Sequence, residues 1–251
     1  MADLTVRPRS RLAVVAIVAI VLAILVALAA LMSGLGTRWG LWNFRTGFQI
    51  LRYSAMAAIA TAVLALVAAL ITRPGTPQRG FIVSIVALVV SLIVVGIPYQ
   101  FMHTAKGVPP IHDITTDVNN PPQFVAVLPL RKDAANPAEY GGPEIARQQQ
   151  QAYPDIQPLL LQMPQQRAFQ RALDAAKSMG WTIDAADPAA GRIEATARTF
   201  WFGFRDDVVV RLTPVGDRTV LDVRSVSRVG KGDVGTNAKR VRAYLEKVKG
   251  E

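Results

Sequence analysis

Residues 12–32 read LAVVAIVAIVLAILVALAALM, a run of 21 residues without a charge. Coiled as a helix at about 1.5 Å per residue, such a run crosses the roughly 30 Å of hydrocarbon in a bilayer. Two similar runs follow, YSAMAAIATAVLALVAALIT at 53–72 and FIVSIVALVVSLIVVGIPYQFM at 81–102. The first exceeds the roughly 7 to 15 apolar residues of a signal peptide and ends in Met32-Ser33-Gly34 without a small-x-small cleavage site, so it reads as an uncleaved span. The expected fold is therefore three N-terminal transmembrane helices carrying a soluble C-terminal part. No Asp, Glu, Lys, Arg or Asn interrupts the runs, which argues against a transporter, because ion and proton pathways use buried polar groups. Ala55, Ala58, Ala62, Ser84 and Ser91 are small enough for close helix packing in lipid. Between the first two runs, residues 33–52 hold Trp39, Trp42, Phe44 and Phe48 among three arginines and read as a segment lying along the head groups. Gly96-Ile97-Pro98 marks where the third span reaches the interface.

The chain has 251 residues and a net charge of +10. Residues 1–110 hold nine Lys/Arg against one acid, whereas 111–251 hold nineteen against seventeen, so the basic excess sits with the spans. That placement suits membrane insertion and anionic head groups, and it argues against nucleic acid as a partner. Cysteine is absent and only His103 and His112 are present, which removes disulfides, thiolate sites and multi-histidine metal centres; no metal or other cofactor is expected. Arg7, Arg9, Arg11, Arg73 and Arg79 on one side of the membrane face Arg38, Arg45, Arg52 and Lys106 on the other. The cluster before the first span places the N-terminus in the cytoplasm, because the first helix usually sets orientation. The chain is thus read as a multi-pass membrane protein whose C-terminal domain is periplasmic or extracytoplasmic.

Three regions follow from these patterns: a membrane domain at 1–106, an extended arm and loop at 107–158, and an α+β domain at 159–251. Prolines 109, 110, 121 and 122 forbid regular helix in the arm, and residues 131–158 are rich in Pro, Gly, Asn and Gln, which reads as a long loop. Structure resumes with a short strand at 159–163. A helix follows at 165–179, where Phe169, Ala172, Leu173, Ala176 and Met179 share a face up to Gly180. Strands are expected at 181–185, 192–202, 207–212 and 219–226, separated by turn signals at hairpin spacing, and an amphipathic helix at 237–248. The sum is an antiparallel sheet with packed helices, a helix-grip-like arrangement.

Two stretches carry candidate function. From Asp222 to Asn237 a strand runs through a glycine-rich turn into a helix, and Arg224, Ser225, Ser227, Arg228, Lys231, Asn237 and Arg240 could surround an anion or a lipid head group. The alternative is a capped turn, with Asp233 or Thr236 capping the helix and the arginines paired to Asp206, Asp207 or Asp222. In the arm, His112, Asp113 and Asp117 are the residue types for acid–base work or a divalent metal. The even spacing of the two carboxylates lets them share a face while His112 points away, so docking of the arm by hydrogen bonds is the stronger expectation. The adjacent Asp206 and Asp207 read as a hairpin turn or as arginine partners rather than a catalytic dyad, since adjacent residues on a strand point to opposite faces.

Three separated stretches carry a resemblance. They are Ile111-His112-Asp113-Ile114-Thr115-Thr116-Asp117 with Pro121-Pro122; Gly191-Arg192-Ile193-Glu194-Ala195-Thr196 through Phe204-Arg205-Asp206-Asp207-Val208; and Arg224-Ser225-Val226-Ser227-Arg228 through Gly235-Thr236-Asn237-Ala238-Lys239-Arg240-Val241-Arg242. In this order they resemble the domain-of-unknown-function family 1499, over roughly residues 111–245. The resemblance implies a bacterial membrane or envelope protein, or a plastid one, and supplies no catalytic residue. The expected function is non-enzymatic binding of a partner protein or a lipid at the membrane surface, with Phe200-Trp201-Phe202-Gly203-Phe204 as aromatic area. The rivals are an enzyme using the His112, Asp113 and Asp117 arm, and a structural scaffold subunit.

Overall fold

The computed structural model describes residues 13–250, so Leu12 of the first run and the arginines at 7, 9 and 11 lie outside the described residues. The chain divides into two compact units, the first holding the residues up to Met102 together with Trp201–Gly203, the second holding the remainder.

In the first unit, α1 (Val14–Arg38), α2 (Phe44–Ile71) and α3 (Phe81–Lys106) are each long and apolar enough to cross a membrane. All three outrun the apolar text. Most of the segment expected along the head groups is helical: α1 continues to Arg38, and α2 begins at Phe44, capped by Asn43, whose Oδ1 accepts the Thr46 amide at 3.0 Å. The reason is that Gly34 and Gly36 cost a helix only about 1 kcal/mol each relative to Ala, and the polar residues of 44–52 tolerate helix well. Gly36 has a further use. A side chain there would overlap the Trp42 ring, which folds back so that its indole N–H donates to the Ser33 carbonyl at 3.1 Å.

Alanines form the seam of this unit, with Ala16, Ala19 and Ala23 packed against Ala65, Ala68 and Ala87. The hydroxyls of Thr61, Ser84 and Ser91 bond back to the carbonyls four residues earlier at 2.8–3.0 Å, which satisfies these three groups in the apolar interior. Leu25, Leu28, Val63, Leu70, Ile82 and Leu92 point outward, as lipid-facing residues do. Pro98 does not end α3, which runs on to Lys106. Trp201 and Phe202 of the aromatic run belong to this unit, where the Trp201 indole donates to the Leu31 carbonyl at 3.0 Å and the Phe202 ring lies 4.9 Å from that of Phe48.

The second unit is built on an antiparallel sheet in the order β1-β6-β5-β4-β3, from β1 (Asp113–Thr115), β3 (Thr182–Asp187), β4 (Arg192–Arg198), β5 (Arg205–Val215) and β6 (Arg218–Ser227). A sixth strand, β2 (Leu159–Leu161), pairs with the first half of β6 while β1 pairs with its second half, so the two lie end to end along one edge of β6. The expected meander of four strands is present. Alternation sorts each strand's side chains. Ile193, Ala195, Ala197, Val208, Val210, Leu212, Leu221 and Val223 face α5 (Gln165–Ser178) and α6 (Thr236–Lys249), forming the main core with Phe169, Trp181 and Tyr244. The Tyr244 hydroxyl donates to the Ala172 carbonyl at 2.9 Å and its ring stacks on Trp181. The interval between sheet and helices is filled with side chains.

The other face bears Glu194, Thr196, Asp207, Val209, Arg211, Asp222, Arg224 and Val226, and the arm lies over it through Phe124, Val127 and a 3₁₀ turn at Leu128–Arg131. The stretch read as a long loop also contains α4 (Gly142–Ala152), begun by Pro143 and Glu144 in its first turn.

Candidate functional site

The far face of the sheet gathers four of the ten candidate residues: Arg224, Arg228, Asp113 and Asp117. Arg224, fully buried, makes a bidentate pair with Asp113 (Nε to Oδ1 at 2.9 Å, Nη2 to Oδ2 at 2.7 Å) and also donates to the carbonyls of Pro122 and Ala138. Phe124 and Tyr140 lie against its guanidinium at 5.2 and 5.5 Å from the ring centroids. Asp113 sits there because β1 registers it opposite Val226, two residues from Arg224 on the same face of β6. Next to this pair, Asp207 accepts from Arg131, from Arg228 at 2.7 Å and from Thr196 at 3.1 Å. Arg211 bridges Asp117 at 2.9 Å and Asp222 at 2.8 Å, and Asp222 also accepts from Thr116 at 3.0 Å. Asp113 and Asp117 are each held by an arginine of this face, Arg224 and Arg211, although Asp117 lies beyond the end of β1.

Glu194, which was not singled out as a site residue, completes this face. Its buried carboxylate accepts the amides of Val125, Ala126 and Val127 at 3.0–3.1 Å and the Arg192 guanidinium at 3.0 Å. Three successive amides converging on one carboxylate form an internal anion nest. The signal was legible as Arg192, Glu194 and Thr196 at alternate positions, which a strand must place on one face.

The opposite face holds Ser225, Ser227, Asn237 and Arg240. Asn237 at the start of α6 accepts from Ser225 at 2.7 Å and donates to Ser227 Oγ and to the His112 carbonyl, both at 2.9 Å. Arg240 donates to Asn237, to Ser225 at 3.1 Å and to Asp206 at 2.6 Å. Asp233 caps α6 by accepting the amides of Gly235 and Asn237, and its burial pushes its carboxyl above the usual range. His112 Nδ1 lies 3.1 Å from the Lys231 carbonyl, a contact that requires the proton on Nδ1. Lys231 is exposed.

The sheet thus divides the candidate set. Arg224, Arg228, Asp113 and Asp117 lie on one face, Ser225, Ser227, Asn237 and Arg240 on the other, and each of these eight is engaged by a neighbouring protein group. This is the pattern of the capped turn with paired arginines, except that Arg224 pairs with Asp113. Among the described residues, no three His, Asp or Glu side chains are gathered in a way that could hold a metal ion. Chemically, the arrangement fixes the arm to the sheet and the start of α6 to its end.

No curated protein matches the chain. The family described as "protein of unknown function (DUF1499)" matches residues 113–248, the stretch from the arginine-bound Asp113 to the last turn of α6, and the chain therefore belongs to the DUF1499 family.

Proposed function

We propose that this chain is a membrane-anchored, non-enzymatic binding protein, whose DUF1499 domain engages a partner protein or a lipid at the membrane surface. The observation that supports this reading is the engagement of the charged motif residues. Buried carboxylates and arginines that are ion-paired and hydrogen-bonded to one another stiffen a fold, whereas catalytic acids and bases need access to a substrate atom. With the space between sheet and helices occupied by Phe169, Trp181 and Tyr244, binding falls to the outer surface of the domain. An odd number of candidate spans, with the arginines at 7, 9 and 11 before the first, supports a cytoplasmic N-terminal side and a periplasmic domain on the bacterial inner membrane.

Crosslinking in native membranes, read by mass spectrometry, tests the reading. A discrete adduct of residues 113–248 with another protein or a lipid is expected. Adducts only between copies of the chain favour a scaffold subunit, and the absence of any adduct on this domain contradicts the proposal. A C-terminal reporter active only outside the cytoplasm is expected to be active; a silent one, with a cytoplasmic reporter active, reverses the orientation.

A further inference from the structure

Arg192, Arg211 and Arg224 of the sheet pair with carboxylates, whereas the arginines on α5 do not. Arg167 and Arg171 stand one turn apart on the outward face of α5, and with Lys247 of α6 they line an open groove of about 570 Å³. None of the three is in an ion pair. The one carboxylate in the lining, Asp174, accepts from Gln170 at 2.9 Å, and the hydroxyl of Ser178, also in the lining, donates to the Ala175 carbonyl at 2.8 Å. Ala175 is the buried residue of the lining.

We infer that this α5–α6 groove binds a phosphate-bearing anion. Two arginines at i and i+4 present planar forks that match phosphate oxygens, Lys247 adds a point charge from the facing helix, and the lining carries three positive charges against one negative. From Arg167 to Ser178 the helix rises about 16 Å, at about 1.5 Å per residue, which accommodates a phosphate with an attached glycerol or sugar. The phosphate can belong to a lipid head group or to a soluble ester, and the groove chemistry is the same for both. The inference rests on the binding reading above and supplies its ligand class.

The test uses the full chain in phosphatidylcholine nanodiscs, as wild type and as the triple variant Arg167→Gln, Arg171→Gln, Lys247→Gln. Titration calorimetry with sn-glycerol 3-phosphate forms one arm. Native mass spectrometry of retained phosphatidylglycerol, after reconstitution with a mixture of phosphatidylcholine and phosphatidylglycerol, forms the other. Loss of a charge-assisted contact weakens binding by about tenfold or more. A wild-type titration that the variant loses identifies a soluble phosphate ester; greater phosphatidylglycerol retention by wild type alone identifies a head group. Equal behaviour of the two proteins in both arms overturns the inference. The crosslinked partner of the domain is unaffected by that result, so failure of the groove and failure of the binding reading are separable. Should the triple variant unfold at a lower temperature than wild type, Lys247→Gln alone is read in the same two arms.

Discussion

Burial pushes the Tyr140 hydroxyl up to about 12, with the nearby Asp113 carboxylate adding to the shift and Arg224 opposing it. In the unfolded chain the same group ionises near its ordinary value of 10, so between these values the unfolded state loses its proton first. Stability from this residue is present below pH 10 and is lost as pH rises toward 12. Denaturant unfolding at intervals across that range is expected to show a declining midpoint, with a shallower decline in Tyr140→Phe; an equal slope in the two proteins refutes the assignment. Single-residue roles were partly legible in the sequence. Adjacency put Asp206 and Asp207 on opposite faces, and they do bind different arginines, Arg240 and Arg228. The partner of Arg224 was not legible, because Asp113 lies more than a hundred residues away and reaches it only through the β1–β6 register.

At the scale of elements, Gln149 shows how a loop-like text can hide a helix with a task. Its side chain accepts the Thr115 amide at 3.0 Å and donates to the Thr115 carbonyl at 2.7 Å, imitating a neighbouring strand at the edge of β1. Replacing it with Leu leaves both backbone groups unpaired in a buried position and is expected to cost about 1–3 kcal/mol in denaturant unfolding. A cost near zero would show that β1 does not depend on α4. The Gln-rich composition of 148–151 suggested a loop, whereas Pro143 and Glu144 were start signals for a helix that the composition masked. The spans were read correctly as helices yet too short, since a charge-free window measures hydrocarbon, and α1 and α2 extend beyond it through residues that simply do not break a helix. The strands from β3 to β6 were legible because period-2 alternation and glycine turns recur together; β1, only three residues long, has no pattern of its own.

For the molecule as a whole, the charges of the family stretch tie distant parts of the domain together: the arm that follows α3, the sheet, and the start of α6. A buried pair whose partner is removed leaves an uncompensated charge, which costs about 3–5 kcal/mol. Function was less legible than fold because the same residue types serve an internal clamp and an anion site, and only the facing of each strand decides between them. The clamp is the central claim, and amide hydrogen exchange on the full chain in nanodiscs, comparing wild type with Asp113→Ala, tests it most directly. Residues 113–131 and the second half of β6 are expected to lose protection together, while the spans keep theirs. Unchanged protection of the arm and of β6 would contradict it, and would leave Arg224 and its neighbours free for chemistry other than holding the domain closed.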